Sequence, residues 1–193
     1  MTEGIKAAET VVYQGKILEV VQQQIQTGER EITIEFARRA PGTRLIIPTP
    51  NGNLLMTKEY RRELNGWDYR LPGGKVFDRL TDYNQALAAN EDMIKLAETA
   101  AKKEALEEVG IDVEDLTHFA TSKCGATVEW DLLYFVVNRY QERSSGQELE
   151  HGEVISVEEL SLDEVKRLCL EGGMQEERSA AILLRYLHQQ NNF

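Results

Sequence analysis

The chain has 193 residues, 41% of them hydrophobic and 28% charged, with 33 acidic against 22 basic side chains and a formal net charge of −11. This suits a globular domain with one sizeable core, and its negative balance argues against nucleic acid or an anionic membrane as a partner. No apolar run approaches the roughly 20 residues of a membrane span, the opening MTEGIKAAET lacks an apolar signal core, and two cysteines, Cys124 and Cys169, are too few for a disulfide framework. The expected location is the cytoplasm.

The elements follow in chain order. VVYQGKILEVVQQQIQ and EITIEFARR are strand-like and joined through the turn signal TGER. RLIIPTPNGNLLMTKEY holds two apolar strands around Asn51-Gly52, a strong hairpin signal. WDYRLPGG and a loop come next. Asn90 to Val109 reads as one long helix stopped by Gly110. LTHFATSKC, VEWDLLYFVVNRY and EVISVEEL read as strands, SLDEVKRLCLEGG as a short Ser-capped helix, and ERSAAILLRYLHQQ as a final amphipathic helix. The order implies an α/β fold: an α/β/α sandwich with a mixed sheet and an N-terminal β element. The expected division is 1–43 for that element and 44–193 for the main domain.

The long helix carries the chemistry. At 100° per residue, Glu107 and Glu108 flank Glu104 on one face, which is continued by Ala101, Ala100, Ala97, Leu96 and Met93. Lys95, Glu98, Thr99 and Lys102 lie opposite. A solvated charged face predicts the reverse, with glutamates opposite the apolar stripe. Three inward carboxylates are costly unless something positive joins them. An all-oxygen set without His or a second Cys suits magnesium, with manganese as a substitute. The plain alternative is that glutamates are good helix formers. Upstream, LPGGK (Leu71 to Lys75) is either a tight turn after a strand or a place where backbone comes close to a ligand or ion.

Together these features resemble the Nudix hydrolase family. Its box is a glycine, five spacers, a glutamate, seven spacers, then Arg-Glu-apolar-any-Glu-Glu-any-Gly-apolar. KEALEEVGI (Lys103 to Ile111) is similar to the second half at every fixed position except Lys103, where the family has arginine. Gly74 resembles the opening glycine. MTKEYRRELNGWDYRLPGGK and SKCGATVEWDLLYF resemble stretches of the ADP-ribose and ADP-sugar pyrophosphatase branch. Two departures stand out. About fifteen extra residues, within RLTDYNQALAANEDMIK, separate Gly74 from the second half by the family's spacing. They leave no in-register first glutamate, and Glu91 or Glu98 stands as its candidate substitute. Lysine at 103 cannot copy the bidentate brace an arginine gives that glutamate.

The resemblance implies metal-dependent cleavage of the pyrophosphate linkage in a small nucleoside diphosphate derivative such as ADP-ribose. It implies Glu104 and Glu108 as magnesium ligands, Glu107 assisting, and a backbone carbonyl near Gly73 completing the site. A later loop, SSGQELEHGEVISV, is expected to carry the general base, Glu153 first and Glu150 second, with Glu129 also placed to line the site. Arg61 and Arg62 are candidate phosphate clamps, of which strand alternation favours only one. Lys75 is a further cation, and Trp67 and Trp130 are candidate stacking residues or packed aromatics. Cys124 and the histidines are incidental. By analogy the N-terminal element is expected to form a homodimer. The alternatives are a non-catalytic module that binds a nucleotide sugar, and a Nudix enzyme for dinucleoside polyphosphates or capped RNA.

Overall fold

The structure is a computed structural model that describes residues 6–149 and 151–190. Three long strands come first: β1 (Lys6–Gln14), β2 (Leu18–Thr27) and β3 (Arg30–Arg39). They form an antiparallel meander, in which Gly28 at φ +62° turns β2 into β3. The apolar run at 11–21 is two strands rather than one, because Gly15-Lys16 reverses the chain between them. The sheet is completed by β8 (Val128–Glu129), which pairs in parallel with β3.

The second sheet holds β4 (Gly42–Pro48), β5 (Leu54–Arg61), β6 (Gly66–Arg70), β7 (Ile111–Ser122), β9 (Leu132–Glu142) and β10 (Ile155–Leu160). Its order is β10-β5-β4-β9-β7, with β6 on the other edge of β5 beyond the short β4 pairing. β4 and β9 run parallel and the other neighbours antiparallel, so the sheet is mixed. Asn51-Gly52 makes the expected hairpin, with Gly52 at φ +80°.

Strand periodicity assigns the two faces. Leu45, Ile47, Leu133, Phe135 and Val137 point to one core, against Ala97, Ala101 and Ala105 of the long helix. Ile46, Leu132 and Tyr134 point to the other, against α3 (Leu162–Glu171) and α4 (Glu177–Gln190). The result is the expected α/β/α sandwich. The three alanines let the helix lie close on the sheet.

Two local expectations change. The long helix is α2 (Met93–Glu104), which starts three residues late: Asn90 has φ +52°, and the Asp92 side chain accepts from the amides of Ile94 and Lys95 as the N-cap. The inserted segment holds its own helix, α1 (Leu80–Ala88), read above as loop because only Leu80 and Ala86 of it are buried. Ala40 and Pro41 link β3 of the first sheet to β4 of the second.

Candidate active site

Helix α2 does not stop at Glu104. It widens into a π-turn over Ala105–Val109 and closes at Gly110, in the left-handed conformation at φ +77°. A π-turn shifts side chains relative to an α-helical wheel, and such turns often mark functional sites. Glu108 joins Ala97, Ala101 and Ala105 on the buried side, while Glu104 and Glu107 face an adjoining cleft. The carbonyls freed at this helix end are taken up by the loop after β9. The amides of Arg143 and Glu148 donate to Gly110 and Glu107 at 2.9 Å, and the Gln147 side chain donates to the Glu108 carbonyl. The glutamate helix and the loop expected to supply a base are thereby tied together.

The PGG turn completes the wall. It lies along β4: the Thr43 amide donates to the Gly74 carbonyl at 2.9 Å and the Leu45 amide to the Pro72 carbonyl at 2.8 Å. Gly73, at φ +142°, donates its amide to Glu108 Oε2 at 2.7 Å. A Cβ on Gly73 would sit 2.2 Å from the Thr43 carbonyl oxygen. A Cβ on Gly74 would sit 2.1 Å from Glu104 Oε1, so the missing side chain is what leaves room for that carboxylate.

The cleft has a volume of about 1010 Å³. It opens where β4 begins, β5 ends and β10 begins. Glu104, Glu107, Glu108, Gly73, Glu153, Arg61, Arg62 and Lys75 all line it. Both arginines do so because β5 ends at Arg61 and Arg62 already belongs to the turn, which removes the strand alternation that was to separate them. Trp67 and Glu129 do not line the cleft. Trp67 is exposed on β6 with its ring edge-on to Tyr60. Glu129, on β8, pairs with Arg38 across the N-terminal sheet. Glu150 lies outside the described residues. Trp130 lines the cleft, but its ring carries the guanidinium groups of Arg39 and Arg178.

Neither candidate for the first box glutamate lines the cleft. Glu91 is exposed, and Glu98 pairs with Lys102 away from the cleft. Asp78, on the loop after the PGG turn, lines the cleft and acts electrostatically on Lys103, whose ammonium pairs with Glu107 at 3.1 Å.

Several residues of the cleft and its walls went unread in the sequence. Glu59 is buried on β5 and takes hydrogen bonds from Thr57 (3.2 Å) and Arg61 (3.2 Å). The alternation in LLMTKEYR was its signal: Leu55, Thr57, Glu59 and Arg61 share the face toward α2. Arg44, buried on β4, pairs with Glu176 at 2.9 Å, and Arg70 reaches the same carboxylate at 3.4 Å. These cations hold the Glu176 carboxyl down to about 2, against its burial. No local pattern links Arg44 to a residue 132 positions on.

The electrostatics divide the cleft. Burial pushes the Glu108 carboxyl up to about 8; the Glu59 and Glu104 carboxylates push the same way, while the Gly73 amide and Arg44 oppose it. Negative charge in this corner is therefore in excess of its compensation. Among the described residues no three His, Cys, Asp or Glu side chains stand in the arrangement of a metal cage. The donors nonetheless fit a hard divalent cation: carboxylates without His or thiol, one of them seated in a cradle that a Cβ would fill. Seven lysines and arginines and seven carboxylates line this cleft, so its balance is far less negative than that of the whole chain.

Comparison with known proteins agrees with this architecture. One solved structure, a crystal structure of an ADP compounds hydrolase, superposes with a TM-score of 0.70 at 16% identity, over 98% of this chain and 94% of that one. No curated protein matches the chain. The NUDIX domain family model matches residues 38–180, from the end of β3 through the start of α4. The chain belongs to the NUDIX family and is a Nudix hydrolase.

Proposed function

We propose that the protein is a divalent-cation-dependent pyrophosphohydrolase acting on an ADP-sugar-like nucleoside diphosphate, ADP-ribose being the representative substrate. The observation that carries this reading is the buried Glu108, held by the Gly73 amide at 2.7 Å and crowded by Glu59 and Glu104. An excess of carboxylate in a closed corner favours a cation, and Nudix hydrolases generally use divalent metal ions. The likeness to an ADP compounds hydrolase supports the ADP part of the substrate.

In this reading Glu104 and Glu108 hold magnesium or manganese, with Glu107 and the Gly73 carbonyl completing the set. When bound, such an ion neutralises the diphosphate, polarises phosphorus and lowers the pKa of water. Arg61, Arg62 and Lys75 hold the phosphate oxygens and orient the diphosphate for in-line attack. Glu153, on the loop docked to the glutamate helix, accepts the proton of the attacking water. One P–O bond of the anhydride breaks and one P–O bond to water forms, which yields a nucleoside monophosphate and a sugar phosphate. The exposed Val11, Val12, Tyr13, Ile17 and Ile32 of the N-terminal sheet support a homodimer built through that element, with the catalytic domain following it.

The test is phosphate release, through a coupled phosphatase, from a panel of ADP-ribose, other nucleoside diphosphate sugars, dinucleotides and dinucleoside polyphosphates, with magnesium or with a chelator. Magnesium-dependent cleavage of ADP-sugars is expected. Cleavage of dinucleoside polyphosphates instead would change the substrate class. Binding without cleavage anywhere on the panel would make the protein a nucleotide-sugar binding module.

A further inference from the structure

The loop between β9 and β10 is fastened to the glutamate helix at its near end. The amides of Arg143 and Glu148 donate to the carbonyls of Gly110 and Glu107, both at 2.9 Å. The two backbones touch there: a Cβ on Gly110 would sit 2.7 Å from the carbonyl carbon of Gly146. Gln147 does more than its neighbours. Its side-chain Nε2 donates to the Glu108 carbonyl and reaches the Ile155 carbonyl at 3.5 Å. One amide group therefore joins the backbone of the buried glutamate to the first residue of β10.

A helix end needs only the first of these bonds. A π-turned terminus leaves carbonyls without intrahelical partners, and any side-chain donor or water satisfies them. The second bond closes the rest of the loop at its base, and that stretch carries Glu153. Glu153 lines the same cleft as Glu104, Glu107 and Glu108. Gly152, at φ +95° with open space around it, gives the chain before Glu153 little stiffness of its own. Position is therefore imposed from the ends. At the far end the Tyr60 amide of β5 donates to the Val154 carbonyl at 3.3 Å. At the near end it is Gln147 that ties the loop to the helix and to β10 together.

We propose that Gln147 is a positioning residue: by bridging the Glu108 and Ile155 carbonyls it fixes the distance between the glutamate helix and Glu153. This rests on the reading of Glu153 as the base and of the helix glutamates as cation ligands. A base acts only within hydrogen-bond reach of the proton it takes, so a misplacement of about 1 Å lowers turnover by up to about a hundredfold. Gln147 does not line the cleft, so it acts through Glu153 and not on the substrate. The bridge needs an amide, because one NH2 group offers two donors to two carbonyls, whereas a hydroxyl offers one and a carboxylate none.

The test is a double-mutant cycle in the full-length protein, on whichever panel nucleotide turns over, beside hydrogen exchange of residues 148–155 read by mass spectrometry. Gln147→Met keeps the length and removes both donors. Its kcat should fall roughly tenfold to a hundredfold while KM stays within about threefold. Exchange in 148–155 should quicken several-fold with β9 unchanged. Glu153→Gln should lose at least about a hundredfold. In that background Gln147→Met should cost less than about twofold, because nothing is left to position. A helix cap with no further role would instead give losses that multiply. If Gln147→Met lowers the melting temperature, Gln147→Asn takes its place: it keeps the amide, is one methylene too short to span both carbonyls, and should show the same pattern at smaller size. Unchanged kcat, multiplying losses, or unchanged exchange overturns the proposal. Full turnover by Glu153→Gln sinks the base assignment and this proposal with it, whereas loss in Glu153→Gln with none in Gln147→Met sinks this proposal alone. No turnover of any nucleotide sinks the hydrolase reading, and the exchange comparison then decides whether Gln147 holds the loop.

Discussion

The Gly73 amide donates to Glu108 Oε2 at 2.7 Å, across 35 positions of sequence. This bond joins the two halves of the motif: the PGG turn along β4 and the π-turned end of α2. It brings a carboxylate into a corner where burial already disfavours its charge. The consequences can be measured.

Glu108 makes the metal-free protein sensitive to pH. Its folded pKa, up to about 8, lies above the ordinary carboxylate value of 4.5. The contribution is fully present below about pH 4.5 and is lost as pH rises through about 8. At about 1.4 kcal/mol per pKa unit, the effect is on the order of a few kcal/mol. Melting temperatures in chelator from pH 5 to 9 should show the advantage of Glu108→Gln over the unaltered protein growing with pH. Magnesium affinity should rise over the same range, since binding must displace the proton.

The two glycines should fail in different ways. Gly74→Ala presses on the flexible end of Glu104, so the protein should fold with little change in melting temperature while kcat falls by roughly tenfold to a hundredfold through misplacement of that carboxylate. Gly73→Ala meets the Thr43 carbonyl and must hold φ near +142°, so it should cost on the order of 1–3 kcal/mol of stability or more. Thermal unfolding beside kcat for the two variants separates these outcomes.

Glu176 should act on stability at the opposite end of the pH scale. Its carboxyl, held down to about 2 by Arg44 and Arg70, contributes stability that is present above about pH 4.5 and is lost as pH falls toward 2. Replacing it with Gln leaves Arg44 buried without its counter-charge. A loss of roughly 3 kcal/mol in urea unfolding at pH 7 is expected, shrinking by pH 3.

The insertion should matter to the join between the sheets more than to the chemistry. Asn84 on α1 donates to Glu19 Oε2 at 3.2 Å, and Glu19 is almost fully buried in the N-terminal sheet. Asn84→Ala should cost about 1–3 kcal/mol in denaturant unfolding, with kcat within about twofold.

The fold was legible wherever one period ran undisturbed. The apolar runs in RLIIP and LLYFVV marked buried strands, and the glycine at 110 and serine at 161 marked helix ends correctly. The glutamates of KEALEEVG could be placed on the inner face because their neighbours were alanines. What stayed hidden depended on contacts far apart in sequence. Arg44 and Glu176 meet only after β4 and the start of α4 are packed, and Arg39 and Arg178 meet only on Trp130. Helix α1 was missed because a mostly exposed helix has little apolar pattern to read. Trp67 and Glu129 were drawn to the site by residue type, yet the pairing of β6 with β5 and of β8 with β3 turns each elsewhere. Glu59 is the instructive miss, since LLMTKEYR already placed it on the face toward the glutamates.

The most direct test of the account is turnover of ADP-ribose by Glu104→Gln, at saturating and at limiting magnesium, beside the unaltered protein. The substitution keeps the shape that Gly74 accommodates and removes only the charge. The account predicts a fall in kcat of at least a hundredfold at saturating magnesium, and a shift of the magnesium dependence to higher concentration. Turnover at the unaltered rate, or magnesium dependence that does not move, would contradict it and remove the glutamate helix from the catalytic site.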